Sequence, residues 1–134
     1  MEKEFIPYEQ ALALKELGFD KPCFGLFARM GNELIIKEMP NQQESEQYFG
    51  GILAPTFSQA FRFFREKHNL RGFIGFRPND KQFTHHVYDM SLSGKEYVKQ
   101  RTMEEFNKDP KVGTYEEAEL AYLIKLIEIV KEKR

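Results

Sequence analysis

The sequence predicts an α+β protein in which antiparallel β-hairpins carry helices on one face, in the order α-ββ-α-ββ-α. Three observations support this fold class. Helix start signals occur three times along the 134 residues, and turn-punctuated apolar runs typical of hairpins lie between them. No apolar run reaches the roughly 20 residues that a membrane-spanning helix needs.

The three helices are predicted from their first turns. Pro7 suits the start of the first helix, because the N–H that proline lacks has no intrahelical partner there, and Gly18 provides a stop. The stretch 56–59, Thr-Phe-Ser-Gln, has the form of a capping box and begins a helix that runs to about residue 67. A second capping box at 114–117 begins the last helix, which carries a wide apolar face.

Two hairpins are predicted between these helices. The first joins strands at 23–30 and 33–39 through Gly31-Asn32, a two-residue turn signal. The second joins strands at 72–77 and 82–90 through a proline-containing turn.

Two stretches lack a clear apolar period. The polar residues 40–47 predict a solvated loop. Residues 91–111 have mixed polarity, and we predict one short helix there, at 102–106.

The chain length predicts a single domain over 1–134. Each helix start places an aromatic residue three positions before an alanine, which suggests a loose duplication of 7–54 and 55–113, closed by the helix at 114–133. The alternative is that each helix simply has a favourable N-terminus, and the sequence leaves both open.

Composition excludes several functional classes. The 20 Lys and Arg residues balance 21 Asp and Glu residues, which argues against a strongly basic nucleic-acid binder. Cys23 is the only cysteine, so no internal disulfide calls for an oxidising compartment. The first ten residues lack the pattern of a secretory signal, and we expect a cytoplasmic protein without a membrane partner.

No constellation of residues predicts catalysis or metal binding. Cys23 begins an apolar strand without a neighbouring base, and His85 and His86 point to opposite faces of a strand. Gly50-Gly51 lacks the phosphate-binding pattern around it and is interpreted as a loop. We therefore expect no enzyme, no catalytic residues, no metal and no cofactor.

The last helix supports the first functional hypothesis, a non-catalytic interaction module. Its apolar residues occupy more than one narrow stripe, so part of the helix is expected to meet a partner chain. The expected partner is a second copy in a twofold homodimer, or another protein. The candidate interface residues are Tyr122, Leu123, Leu126, Ile127 and Val130.

The alternative hypothesis is weak nucleic-acid binding by the stretch 55–88. Residues 55–81 carry six basic side chains against two acidic ones, and phenylalanines are interleaved with them. Basic grooves with aromatic platforms bind single strands without sequence preference. The candidate contacts are Arg62, Arg65, Arg71 and Arg77. The opposing interpretation is that the rings are core and that the arginines are the solvated side of the same elements.

Three segments also resemble small uncharacterised proteins of bacterial prophages and mobile elements. They are FIPYEQALALKELGFDKPCFG, APTFSQAFRFFREKHNL and YEEAELAYLIKLIEIVKEK, together about half the chain. This sequence differs from those proteins in both hairpins. It also lacks the tryptophan that the resemblance leads us to expect near Phe63. It implies an intracellular, phage-linked setting and supplies no known activity or catalytic residues.

Overall fold

The computed structural model describes residues 2–29, 33–90 and 111–133. The chain divides into two compact units, residues 1–63 and 64–134, each described by itself below. The predicted turn at Gly31-Asn32 and the predicted short helix at 102–106 lie outside the described residues. The predicted duplication stays a prediction.

The predicted α+β class is confirmed, with two small antiparallel sheets rather than one. A 3₁₀ turn at Glu2–Glu4 precedes the other elements. The helices are α1 (Tyr8–Glu16), α2 (Gln42–Phe49), α3 (Phe57–His68) and α4 (Tyr115–Glu132). The strands are β1 (Cys23–Phe27), β2 (Leu34–Met39), β3 (Ile52–Leu53), β4 (Leu70–Arg77), β5 (Gln82–Asp89) and β6 (Lys111–Val112). No helix among these described residues is long and apolar enough to cross a bilayer.

The first capping box forms in full at its predicted position, and the second forms the bond to its N-cap side chain. The Gln59 N–H donates to Thr56 Oγ1 at 3.2 Å, and the Thr56 N–H donates to Gln59 Oε1 at 2.9 Å. At the start of α4, the Glu117 N–H donates to Thr114 Oγ1 at 3.1 Å. These side chains satisfy backbone donors that a helix start would otherwise leave unpaired.

The first unit is built on the sheet β2-β1-β3, with β1 in the centre and antiparallel to both neighbours. The Tyr8 ring of α1 stands edge-on to Phe27 of β1, with centroids 5.5 Å apart. Phe19 makes a similar edge contact with Phe63 at 5.3 Å. The large phenylalanine content therefore contributes core here, as the composition suggests.

The loop predicted at 40–47 was wrong, because α2 occupies most of it. Asn41 caps the helix by accepting the Glu44 N–H at 2.9 Å, and Gly50 ends it in the left-handed conformation with φ 61°. The stretch has no apolar stripe to reveal a helix, but Asn41 followed by Glu44 is itself a recognisable N-terminal signal.

The free edge of β3 is closed by a side chain. Gln42 Nε2 donates to the Gly51 carbonyl at 2.9 Å, while Gln42 Oε1 accepts the Leu53 N–H at 3.1 Å. The amide thus makes the two hydrogen bonds that a neighbouring strand would make. This contact fastens α2 to the sheet.

We expect Gln42→Leu to destabilise the first unit by about 2 kcal/mol, because two partly buried backbone groups lose their partners. Urea unfolding followed by circular dichroism measures the loss, and hydrogen exchange at the Leu53 amide should accelerate. Gln43→Leu is the matched control, because Gln43 is exposed on the same helix. Equal stability of the two variants would contradict the edge-closing role.

The second unit contains the sheet β4-β5-β6, in which β4 and β5 pair over eight residues without a bulge. Helix α4 packs on one face of this sheet. The fully or nearly fully buried side chains of the unit are Phe64, Leu70, Thr84, His85, Ala118, Tyr122, Leu123, Leu126, Ile127 and Val130. The core of this unit therefore lies mainly between α4 and the sheet, whereas Thr84 is buried on the other face of the sheet.

Candidate functional site

The two faces of the β4–β5 hairpin differ in what covers them. Tyr122 of α4 lies against Gly72, and the ring centroids of His85 and Tyr122 are 6.2 Å apart. Phe83 contacts Tyr115 edge-on at 5.9 Å, at the other end of the same face. Since side chains alternate along a strand, neighbours in sequence point away from α4.

The residues that point away from α4 form what we call the outer face. Directly paired residues of an antiparallel ladder share a face, and the pairs Arg71–Tyr88, Phe73–His86 and Arg77–Gln82 therefore belong to it. The outer face comprises Arg71, Phe73, Gly75 and Arg77 on β4 and Gln82, Thr84, His86 and Tyr88 on β5. None of these eight residues is acidic.

Three aromatic rings form a ladder at the centre of the outer face. Phe73 is 51% exposed, and its ring centroid lies 4.7 Å from that of His86. The Tyr88 ring, also on β5, has its centroid 6.3 Å from that of Phe73 and is nearly parallel to it, at 21°. Thr84 Oγ1 and His86 Nε2 are within hydrogen-bonding distance at 3.2 Å, which helps to fix the imidazole. The ladder thus presents a half-exposed ring that contacts two rings of the neighbouring strand.

An arginine stands at each end of the outer face. Arg71 is exposed and pairs across the strands with Tyr88. Arg77 Nε lies 3.7 Å from Asp80 Oδ2 in the turn, and both side chains are about two-fifths exposed. An ion pair this exposed contributes little to stability, so Arg77 can exchange Asp80 for a ligand at small cost. At about 3.3 Å per residue, the two arginines are spaced about 20 Å apart along the strand.

The four arginines proposed from sequence do not all belong to this face. Arg65 lies near enough to Tyr122 to act on its hydroxyl: burial raises the pKa of Tyr122, and the Arg65 charge partly opposes that rise. Tyr122 is on the helix-covered face, so Arg65 is separated from Arg71 and Arg77. Arg62 is exposed on α3, within the first unit.

The five residues proposed as an interface are buried inside the chain. Leu123 and Leu126 have no exposed surface, and none of the other three exceeds 6% exposure. Their side chains form the packing of α4 in the second unit. A partner that met α4 would instead contact its more exposed residues, of which Ile124 is 37% exposed.

The residues considered as a nucleophile or as metal ligands belong to the packing of the fold. The Cys23 thiol is buried and donates to the Gly25 carbonyl at 3.4 Å; burial raises its pKa. His85 and His86 point to opposite faces of β5, as their adjacency predicts. Within the ranges that the structure describes, no cluster of three or more histidine, cysteine or acidic residues could hold a metal ion.

The Gly50-Gly51 pair is likewise part of the backbone packing. The Gly50 N–H donates to the Glu46 carbonyl at 3.0 Å, and the Gly51 N–H donates to the Ser45 carbonyl at 3.2 Å. Both donors are therefore used to end α2.

Sequence reasoning found Arg71 and Arg77 but did not identify His86 and Tyr88 as part of the same surface. The signal that could have found them is alternation: the residues at 84, 86 and 88 share one parity and pair across to those at 75, 73 and 71. No protein-family model, curated protein or solved structure matches this chain.

Proposed function

We propose that the protein is a non-catalytic binding module whose outer face binds single-stranded nucleic acid. The observation that carries the proposal is Phe73, half-exposed beside the His86 and Tyr88 rings of the neighbouring strand, on a strand with an arginine at each end. Every base has a flat π-face, so such a ring accepts bases of any sequence.

Charge favours a phosphate-bearing ligand. Arg71 and Arg77 flank the rings, and the outer face carries no carboxylate to repel a phosphate. Two arginines neutralise few phosphates, so the binding is expected to be weak and strongly dependent on salt. A near-neutral chain can bind in this way because the contacts are local.

Single strands are favoured over duplexes. An exposed ring on the surface of a sheet can stack on an unpaired base, whereas paired bases hide their faces within the helix. The expected ligand is therefore a short unpaired stretch of RNA or DNA.

The test is fluorescence anisotropy with labelled oligo(U) and oligo(dT) at low salt. We expect Phe73→Ala to weaken binding about tenfold or more, because stacking on one ring contributes about 1–3 kcal/mol. Phe76→Ala is the matched control: Phe76 is on the same strand, is 52% exposed, and belongs to the opposite face. Its binding should stay within about twofold of the wild type.

Salt dependence tests the arginines separately. Each phosphate contact contributes about −0.7 to the slope of log affinity against log salt for a single strand. Arg71→Gln should reduce the slope by about that amount, whereas Arg65→Gln should leave it unchanged. Absence of binding at low salt, or equal losses in Phe73→Ala and Phe76→Ala, would overturn the proposal.

The homodimer, the cytoplasmic setting and the phage-linked setting stay predictions. The homodimer is proposed now without the five buried residues of α4. Light scattering on the eluting protein measures its mass directly.

A further inference from the structure

A cleft of about 420 Å³ lies in the first unit, and all of its lining residues belong to that unit. Its walls come from α1, from the end of β1 and from the turn that follows α2. The residues that determine its chemistry are Tyr8, Lys15, Phe27, Arg29, Glu46 and Gly50. The volume is in the range of sites that bind small molecules.

Arg29 is the one cation of the cleft without a carboxylate partner among the described residues. Its stem lies against Gly50: a Cβ added at that glycine would be 3.2 Å from Arg29 Cδ and 3.3 Å from Arg29 Cβ. Gly50 has φ 61°, a conformation that favours glycine, so the end of α2 also leaves room for this stem. The arginine is thereby packed along the cleft wall.

The second cation is already neutralised. Lys15 Nζ lies 3.1 Å from Glu46 Oε1, and the Lys15 hydrogen bond lowers the pKa of Glu46, with a smaller contribution from Gln42. The three charged groups of the cleft therefore sum to one positive charge, which favours an anionic ligand over a neutral or cationic one.

The rest of the cleft offers apolar and aromatic surface. The Tyr8 and Phe27 rings meet edge-to-face, and Ala28 and Ile52 complete this side. A bare inorganic anion would leave these groups uncovered, whereas a ring attached to the anion would cover them.

We propose that the cleft binds a small organic anion, in which one carboxylate or phosphate meets Arg29 and an aromatic body lies against Tyr8. The two anion types share this chemistry, and the probes below distinguish them. The proposal is independent of nucleic-acid binding, because it uses residues of the first unit alone.

The experiment is an NMR titration of the ¹⁵N-labelled full chain with phenyl phosphate and with benzoate. The amides of Ala28, Gly50 and Gly51 line the cleft and report binding directly. We expect saturable shifts at concentrations up to about 10 mM, since so small a ligand binds in the millimolar range. Benzyl alcohol keeps the ring without the charge, and inorganic phosphate keeps the charge without the ring; both should bind about tenfold more weakly.

Three variants test the charges. Arg29→Gln should weaken phenyl phosphate binding about tenfold, because a charge-assisted hydrogen bond is lost. Glu46→Gln should strengthen it about threefold, because a repelling charge is removed. Lys21→Gln, at an exposed lysine outside the cleft, should change nothing.

Each contrary result overturns the proposal. Equal binding of benzyl alcohol would show an apolar crevice, and equal binding of inorganic phosphate would show unspecific ion pairing. Unshifted amides at the highest concentration, in a protein whose spectrum is folded, would show no site. A preference between phenyl phosphate and benzoate identifies the anion type and supports the site.

Discussion

Leu123→Asp is expected to unfold the second unit. Leu123 has no exposed surface and packs in the core beneath α4. Truncating a buried leucine costs about 2–5 kcal/mol, and burying an unpaired carboxylate adds several more. The total approaches the whole stability of a small unit, about 5–15 kcal/mol. Circular dichroism during thermal denaturation should show that the helix signal of the second unit is already lost at about 25 °C.

The next residue provides the control. Ile124 is 37% exposed on the same helix, so Ile124→Asp should leave the unit folded and cost about 1 kcal/mol or less. The two variants also test the interface proposed from the sequence. If that interface exists, Leu123→Asp separates a dimer into monomers that stay folded. A folded Leu123→Asp monomer would restore that interface and contradict the burial argument.

Gly72→Ala is expected to destabilise the same unit by about 3 kcal/mol, the upper part of the usual range for overpacking. A Cβ at this position would overlap the His86 carbonyl oxygen and lie 2.9 Å from the Tyr122 ring. The carbonyl belongs to the paired strand and cannot move alone, so β4 and β5 must separate locally. Glycine in a strand often marks such a close approach.

Gly75→Ala is the control on the same strand. The nearest atom to its added Cβ is the Thr84 hydroxyl at 3.3 Å, a side chain that can shift by a few tenths of an ångström. We expect a change within about 1 kcal/mol, measured by urea unfolding of both variants. A Gly72→Ala protein as stable as Gly75→Ala would show that the strands have more freedom than the close approach implies.

Local signals in the sequence predicted most of the elements, because each signal is a short-range physical contact. Thr56 and Gln59 are three residues apart and bond each other, so their pairing is visible without the fold. Thr114 and Glu117 are also three residues apart, and the Glu117 N–H donates to the Thr114 hydroxyl. The predicted hairpins likewise match β1–β2 and β4–β5 to within a few residues.

Elements that depend on distant contacts were missed. Helix α2 has no apolar period, and the Gln42 amide that ties it to β3 reaches residues nine and eleven positions away. Strand β3 has two residues, too few for any alternation to show. These elements are stabilised by tertiary structure rather than by their own composition.

Only part of the candidate site could be predicted from the sequence, and the reason is the same. Composition located the basic and aromatic stretch, and alternation places Phe73 and Phe76 on opposite faces, but the sequence does not show which of the two faces a helix covers. The apolar stripe of α4 fitted burial inside the chain and contact with a partner chain equally well. Only the packing of Tyr122 against Gly72 shows which face is occupied.

The Gln42 amide has a consequence for the behaviour of the protein in concentrated solution. Strand β3 is at the edge of its sheet, and an uncovered edge is a template on which a second chain can add a strand. Pairing of two copies through this same edge gives a closed dimer, whereas pairing of this edge with a different edge of the next copy continues into an open chain. The single Gln42 side-chain amide occupies the Gly51 carbonyl and the Leu53 N–H, and it therefore blocks the backbone groups on which a second chain could add a strand.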